Sequence, residues 1–305
     1  MTGPAVGTTK HEHPIEAVPL RHPGRWVAVA VLAVLAAMLV HTVLTNEGFR
    51  WDVVGRYLFS TPILNGLANT LLLTVLSMVI GVVGGIGLAV MRLSPNPVLT
   101  GAAAVYIWLF RGTPLIAQLL FWNYLSALYP RLGLGIPFGP VFVSADVNSL
   151  ITPFAACLLG LGLNEAAYMA EIVRGGLQSV DRGQSEAAGA LGLSRVQALR
   201  RVVLPQAMRV IIPPTGNETI SMLKTTSLVV VIGYFELLTS AQRIYSTNFQ
   251  TIPLLIVAAA WYLALTSVLS VGQGFIERKY GRGFNPTPSA GARMFFLRRN
   301  PEQAA

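Results

Sequence analysis

The chain has 305 residues, of which 53% are hydrophobic and only 11% charged, with a formal net charge of +9. An average soluble domain carries about 25% charged residues, so a soluble globular fold is excluded; too little polar surface is available to cover its core. The basic residues flank apolar runs instead of gathering on one polar domain, which suits membrane lipid and topology and gives no nucleic-acid partner.

In chain order, residues 1–25 lack apolar periodicity and read as a disordered tail. His11, His13 and His22 fall there, in a solvated segment that no fold orders, so no metal site is assigned to them. Trp26 to Leu44 is an apolar run long enough to span a bilayer. It is too long for a signal peptide and no small-x-small cleavage site follows, so 26–45 is an uncleaved first helix. After a mixed connector, a second span runs from Pro62 to Met91, with Gly81 and Gly85 as a small-x-x-x-small pair that lets a neighbouring helix come close.

A third span covers Leu99 to Leu128, and Pro114 predicts a kink or an opening inside it. Tyr129 to Asn148 is a Gly/Pro-rich connector. The fourth span covers Leu150 to Val173 and the fifth Val210 to Leu238, with Pro213 and Pro214 at its mouth; the sixth covers Ile252 to Phe275. Residues 283–305 read as a basic, disordered tail. The fold class is an all-α integral membrane protein of about six transmembrane helices. The single cysteine, Cys157, lies in an apolar run and leaves no intrachain disulfide.

Charge sets the orientation. With the N-terminus inside, the two tails, the turn at Arg92 and the segment around 174–209 hold most of the Lys and Arg. The outside segments hold Arg50, Arg56, Arg131 and Arg243. The positive-inside rule then places both termini in the cytoplasm of a multi-pass plasma-membrane (inner-membrane) protein.

One polar stretch interrupts the spans on the inside, Glu186 to Pro205, EAAGALGLSRVQALRRVVLP. Glu186 to Leu191 are good helix formers. Gly192 can take the left-handed conformation that ends a helix. Ser194 with Gln197 reads as a capping box that opens a second helix, and Pro205 disrupts any continuous helix beyond it. The result is a rigid elbow of helix, turn and helix.

The spacing of this stretch resembles the EAA loop of permease subunits of ABC importers: Glu186-Ala187-Ala188, three residues, Gly192, nine residues, then Val202-Val203-Leu204-Pro205, with Val202 where Ile is usual. Further stretches look like the polar amino acid branch of that family: LANTL from Leu67, FRGTP from Phe110, AYMAEI from Ala167 and KTTSL from Lys224. The likeness covers about 61–282, with the loop at 183–205.

The resemblance implies a type I ABC importer permease fold, and a permease that works with a second permease subunit (identical or different), ABC ATPase subunits and an extracytoplasmic amino-acid-binding protein. Glu186, Ala187, Ala188, Gly192, Leu204 and Pro205 would couple the permease to the ATPase. This chain carries no Walker motif, so ATP and Mg belong on the partner. It is not expected to be an enzyme and needs no cofactor of its own.

Charges inside the spans are costly unless paired or functional. Arg111, Glu165, Glu218 and Lys224 lie there, with Glu171 nearer the cytoplasm and Arg174 on the same helical face. Either Arg111 and Lys224 pair with Glu165 or Glu218, or some of these groups, with Tyr168, line a substrate pathway; Trp122 and Tyr124 are further aromatic candidates. An ion-coupled secondary amino acid transporter is the rival reading, but related halves are absent. A catalytic constellation is also absent: all the histidines are N-terminal.

Overall fold

The computed structural model describes residues 23–136 and 139–280. The expectations for most of the N-terminal tail and for the C-terminal tail fall outside the described residues. Two compact units divide the chain after Phe49. The first holds α1 (Pro23–Thr45). Its side chains are exposed along nearly its whole length, as expected for an apolar helix whose neighbour is lipid.

The second unit begins with a short amphipathic helix in the expected connector, α2 (Trp51–Leu58), which buries Val53 and Val54. Next come α3 (Thr61–Arg92), α4 (Pro97–Gly112) and α5 (Leu115–Asn123). A single turn, α6 (Leu125–Leu128), leads to strands β1 (Arg131–Gly135) and β2 (Val141–Asp146) and then to α7 (Val147–Leu150). The long α8 (Pro153–Gln178) enters the elbow helices α9 (Arg182–Ala190) and α10 (Arg195–Ala198). A π turn over Leu199–Val203 joins α10 to α11 (Leu204–Thr225), which continues as a 3₁₀ segment over Thr226–Ile232. Last are α12 (Leu237–Asn248) and α13 (Thr251–Tyr280).

Helix starts follow local chemistry. Pro62, Pro97 and Pro153 stand in the first turns of α3, α4 and α8, where a missing N–H costs nothing. Asn96 and Thr152 cap the last two from their side chains. Among the described residues, four helices are long and apolar enough to cross a membrane, or up to six if each bent pair counts as one span.

Three expectations need correction, whereas the opening predicted in the third span is present as a 101° corner between α4 and α5. Thr113, held extended before Pro114, makes the corner. The 129–148 connector folds into an antiparallel hairpin, with Arg131 opposite Asp146 and Leu134 opposite Val143. Pro205 breaks nothing. The π turn sends the Leu204 N–H back five residues to the Leu199 carbonyl, which widens the backbone, and Pro205 then occupies the first turn of α11. Pro213 and Pro214 likewise sit inside α11 and not at its mouth.

The core forms where α3 lies along α8. A Cβ on Gly85 would stand 2.9 Å from the backbone nitrogen of Ala170, so only glycine permits this approach. Leu73, Leu119, Leu161 and Met169 are fully buried in this cluster. A second cluster joins α2, α3, α12 and α13 through Val53, Ile63, Leu237, Leu254 and Val257.

Candidate functional site

The elbow is built by its own sequence. Asp181 caps α9 by accepting from the Gly183 N–H, 2.7 Å away. At the other end Gly192 takes φ 79°. Its N–H bonds the Gly189 carbonyl at 2.9 Å, and the Leu193 N–H bonds the Ala188 carbonyl at 3.1 Å. This pair of bonds is a Schellman motif. The next residues form the expected capping box: Ser194 and Gln197 each accept from the other's backbone N–H.

Ala188 and Ala198 are the buried residues of the two elbow helices, while Glu186, Ala187, Gly192, Leu204 and Pro205 are exposed. Leu191 and Val196 project from this polar element with 83% and 65% exposure. The side-chain amide of Gln206 donates to that of Gln184, 3.3 Å away, tying α9 to α11.

In the bundle, Arg111 ends α4 with its guanidinium carbon 5.1 Å from the centre of the Tyr168 ring on α8. Glu165, one turn earlier on α8, is only 4% exposed and lies against Gly81 of α3. Its Oε1 has no hydrogen-bond partner among the described residues, nor has Oγ of Ser77 on α3. Glu218 on α11 is half-buried and close enough for its charge to act on Glu165 and to feel Arg111. The structure thus brings Arg111, Glu165, Tyr168 and Glu218 together.

Lys224 is exposed in the last turn of α11. The proposed salt bridges of Arg111 and Lys224 with Glu165 or Glu218 do not form. Among the described residues, ion pairs join Arg50 to Asp52 and Arg174 to Glu171, the latter three residues apart on one face as expected. Trp122 packs edge-on against Phe121, and Tyr124 is 61% exposed.

Other site features were not legible beforehand. The corner at Thr113 is held by two amides. Gln118 donates to the Phe110 carbonyl and to Thr113 Oγ1, at 2.9 and 2.8 Å, and Asn164 donates to the same Phe110 carbonyl at 2.9 Å. These bonds fix the last turn of α4, and with it Arg111, against α8.

Glu236 is fully buried at the start of α12. It accepts from the backbone of Leu238 and Thr239, from the Thr239 hydroxyl and from the Tyr262 hydroxyl, at 2.7–2.9 Å. Glu236 escaped notice because one of its partners, Tyr262, lies on another helix. The pairing of FRGTP with Asn164 was hidden for the same reason.

Residues 81–282 match the family of binding-protein-dependent transport system inner membrane components. The chain belongs to that family. Over 290 residues it is 51% identical to the arginine transport system permease protein ArgU of Corynebacterium glutamicum, covering 94% of this chain and 90% of that one. It is 35% identical over 217 residues to the glutamine transport system permease protein GlnP of Escherichia coli, covering 71% and 92% of the two chains.

A solved amino acid ABC transporter with histidines superposes with a TM-score of 0.61 at 36% identity, over 72% of this chain and 94% of that one. The MetNI methionine ABC transporter, at 18% identity and a TM-score of 0.58 over 73% and 99% of the two chains, shares the fold. The architecture is that of the type I ABC importer permeases, and the chain is a transport component of the inner membrane, not an enzyme.

Proposed function

We propose that this chain is the permease subunit of an ATP-driven importer that brings amino acids with a cationic side chain across the plasma membrane. Family membership carries the transporter reading and sets aside the ion-coupled alternative. Identity to an arginine permease along nearly the whole chain supports the substrate class.

The convergence of Glu165 and Glu218 supports it chemically. Two carboxylates in a poorly solvated bundle favour a guanidinium or ammonium over a neutral side chain. Arg111, backed by Tyr168, supplies a fixed cation beside them.

Glu186, Ala187, Ala188, Gly192, Leu204 and Pro205 form the elbow that a separate ABC ATPase moves. Exposed Leu191 and Val196 on this otherwise polar element suit a protein partner. The ATPase binds ATP and Mg. A second permease subunit completes the pore, and an extracytoplasmic binding protein delivers substrate to the outer face. Both termini lie in the cytoplasm, residues 26–45 form a helix additional to the permease domain at 61–282, and Lys224 belongs to the substrate pathway.

The test is ATP hydrolysis by the reconstituted assembly with binding proteins loaded with different amino acids. A cationic amino acid is expected to stimulate it. Glu165→Gln is expected to lower uptake of arginine relative to glutamine by about tenfold, the effect of losing one charge-assisted interaction. Unchanged selectivity would sink the role of Glu165, and no association with any ATPase would sink the importer reading.

A further inference from the structure

We propose that the cavity between the start of α3 and the middle of α12 is an outer site that holds the carboxylate of the arriving amino acid, with Arg243 as its anion-binding group. This deepens the transporter reading and rests on it and on the orientation proposed with it. The cavity measures about 790 Å³ and is lined by Asn65, Asn69, Ser240, Phe235 and Arg243, among others. None of its lining residues is acidic.

Arg243 lies with its guanidinium carbon 3.8 Å from the centre of the Phe235 ring. An aromatic face holds a guanidinium in place without neutralising it. No carboxylate forms a salt bridge with Arg243 among the described residues. Phe235 is itself fixed, because the Asn69 side-chain amide donates to its carbonyl at 2.7 Å. The next residue, Glu236, is locked into the start of α12. A positioned, uncompensated cation in a cavity whose other polar lining groups are neutral amides and hydroxyls is complementary to a carboxylate, which a planar guanidinium binds through two parallel hydrogen bonds.

The site is distinct from the carboxylates at Glu165 and Glu218. Its chemistry selects for the backbone end that all amino acids share, whereas theirs selects for the side chain. Capturing the carboxylate on release from the binding protein would reduce return of the substrate to the outside.

The test uses the complete assembly in vesicles, with its ATPase and binding protein, and L-arginine as the probe. The quantity read is ATP hydrolysed per arginine accumulated. Arg243→Gln is expected to raise this ratio about tenfold, the loss of one charge-assisted hydrogen bond. Arg243→Lys is expected to raise it less. Binding-protein docking and the stimulated ATPase rate are expected to stay as in wild type.

A merely structural role would lower uptake and hydrolysis together and overturn the proposal, as would an unchanged ratio. Loss of docking would make Arg243 a protein contact and overturn it too. An effect seen in vesicles containing phosphatidylglycerol and absent in pure phosphatidylcholine would assign the cation to a lipid headgroup instead. If Arg243→Gln does not assemble, Phe235→Leu is read in the same way, and an unchanged ratio there overturns the proposal. Wild-type vesicles that accumulate no amino acid would sink the transporter reading itself, a result visible before any variant is compared.

Discussion

Asn164 on α8 donates its side-chain amide to the Phe110 carbonyl of α4, 2.9 Å away and 54 positions earlier in the chain. This bond closes a corner that the backbone cannot close alone, since Pro114 offers no N–H and the helix ends at Gly112. Asn164→Leu keeps the volume and removes the donor. An unsatisfied buried carbonyl costs about 1–3 kcal/mol. Gln118 still reaches the same oxygen, so the low end of that range is expected, read as a fall in the thermal unfolding midpoint of the purified complex. Combining it with Gln118→Leu is expected to cost more than the sum of the single changes, because each amide covers for the other.

Gly85 faces Met169 and Ala170 across the α3–α8 seam with no room for a side chain. Gly85→Val is expected to destabilise the permease by about 1–3 kcal/mol or to prevent its accumulation, because backbone opposes the new atoms and a rotamer change cannot relieve them. Gly87 on the same helix has nothing within 4 Å of an added Cβ, and Gly87→Ala serves as the control with unchanged unfolding.

Gly192 has open space around it but a φ of 79°. Gly192→Ala is therefore strained by conformation and not by contact, at roughly 1–2 kcal/mol for a left-handed residue with a Cβ. That strain falls on the end of α9 alone. The expected outcome is a bundle with unchanged thermal unfolding and a weakened response of the ATPase to loaded binding protein. A drop in unfolding temperature of the whole complex would contradict this division.

Glu236 brings α3, α12 and α13 together. Glu236→Gln keeps one acceptor but turns an amide NH₂ toward one of two backbone donors, Leu238 or Thr239, which bond different carboxylate oxygens. Hydrogen bonds to charged groups are worth about 1.5–3 kcal/mol each, so a loss of that size is expected in chemical or thermal unfolding. Tyr262→Phe removes a single donor to the same carboxylate and is expected to cost less.

Much of this architecture was legible because it is written in local signals. The elbow is the clearest case: the positive φ at Gly192 and the reciprocal bonds of Ser194 and Gln197 follow from residues within a few positions of one another. The start of the second span was legible for the same reason, as Pro62 stands in the first turn of α3.

The rest was hidden where the decisive partner is remote. The described side chains of β1 and β2 are almost all exposed, so neither strand shows the alternation that betrays a half-buried strand. The prolines of α11 look like breakers until the π turn and Gln273 are seen. That side chain donates to the Pro213 carbonyl at 2.7 Å from α13. Glu236 reads as one more polar residue near a span end until Thr239 and Tyr262 surround it.

The π turn at Leu199–Val203 carries a further consequence. It is one residue of extra winding in an otherwise continuous rod from Arg195 to Ile232. Each helical residue turns the chain by about 100°. Deleting a single residue there would relax the turn to ordinary α-helix, yet swing the face that α10 presents through roughly a quarter of a revolution relative to α11. The elbow and the bundle are thus keyed to each other like two gears on one shaft, and the tooth that sets their phase is this turn.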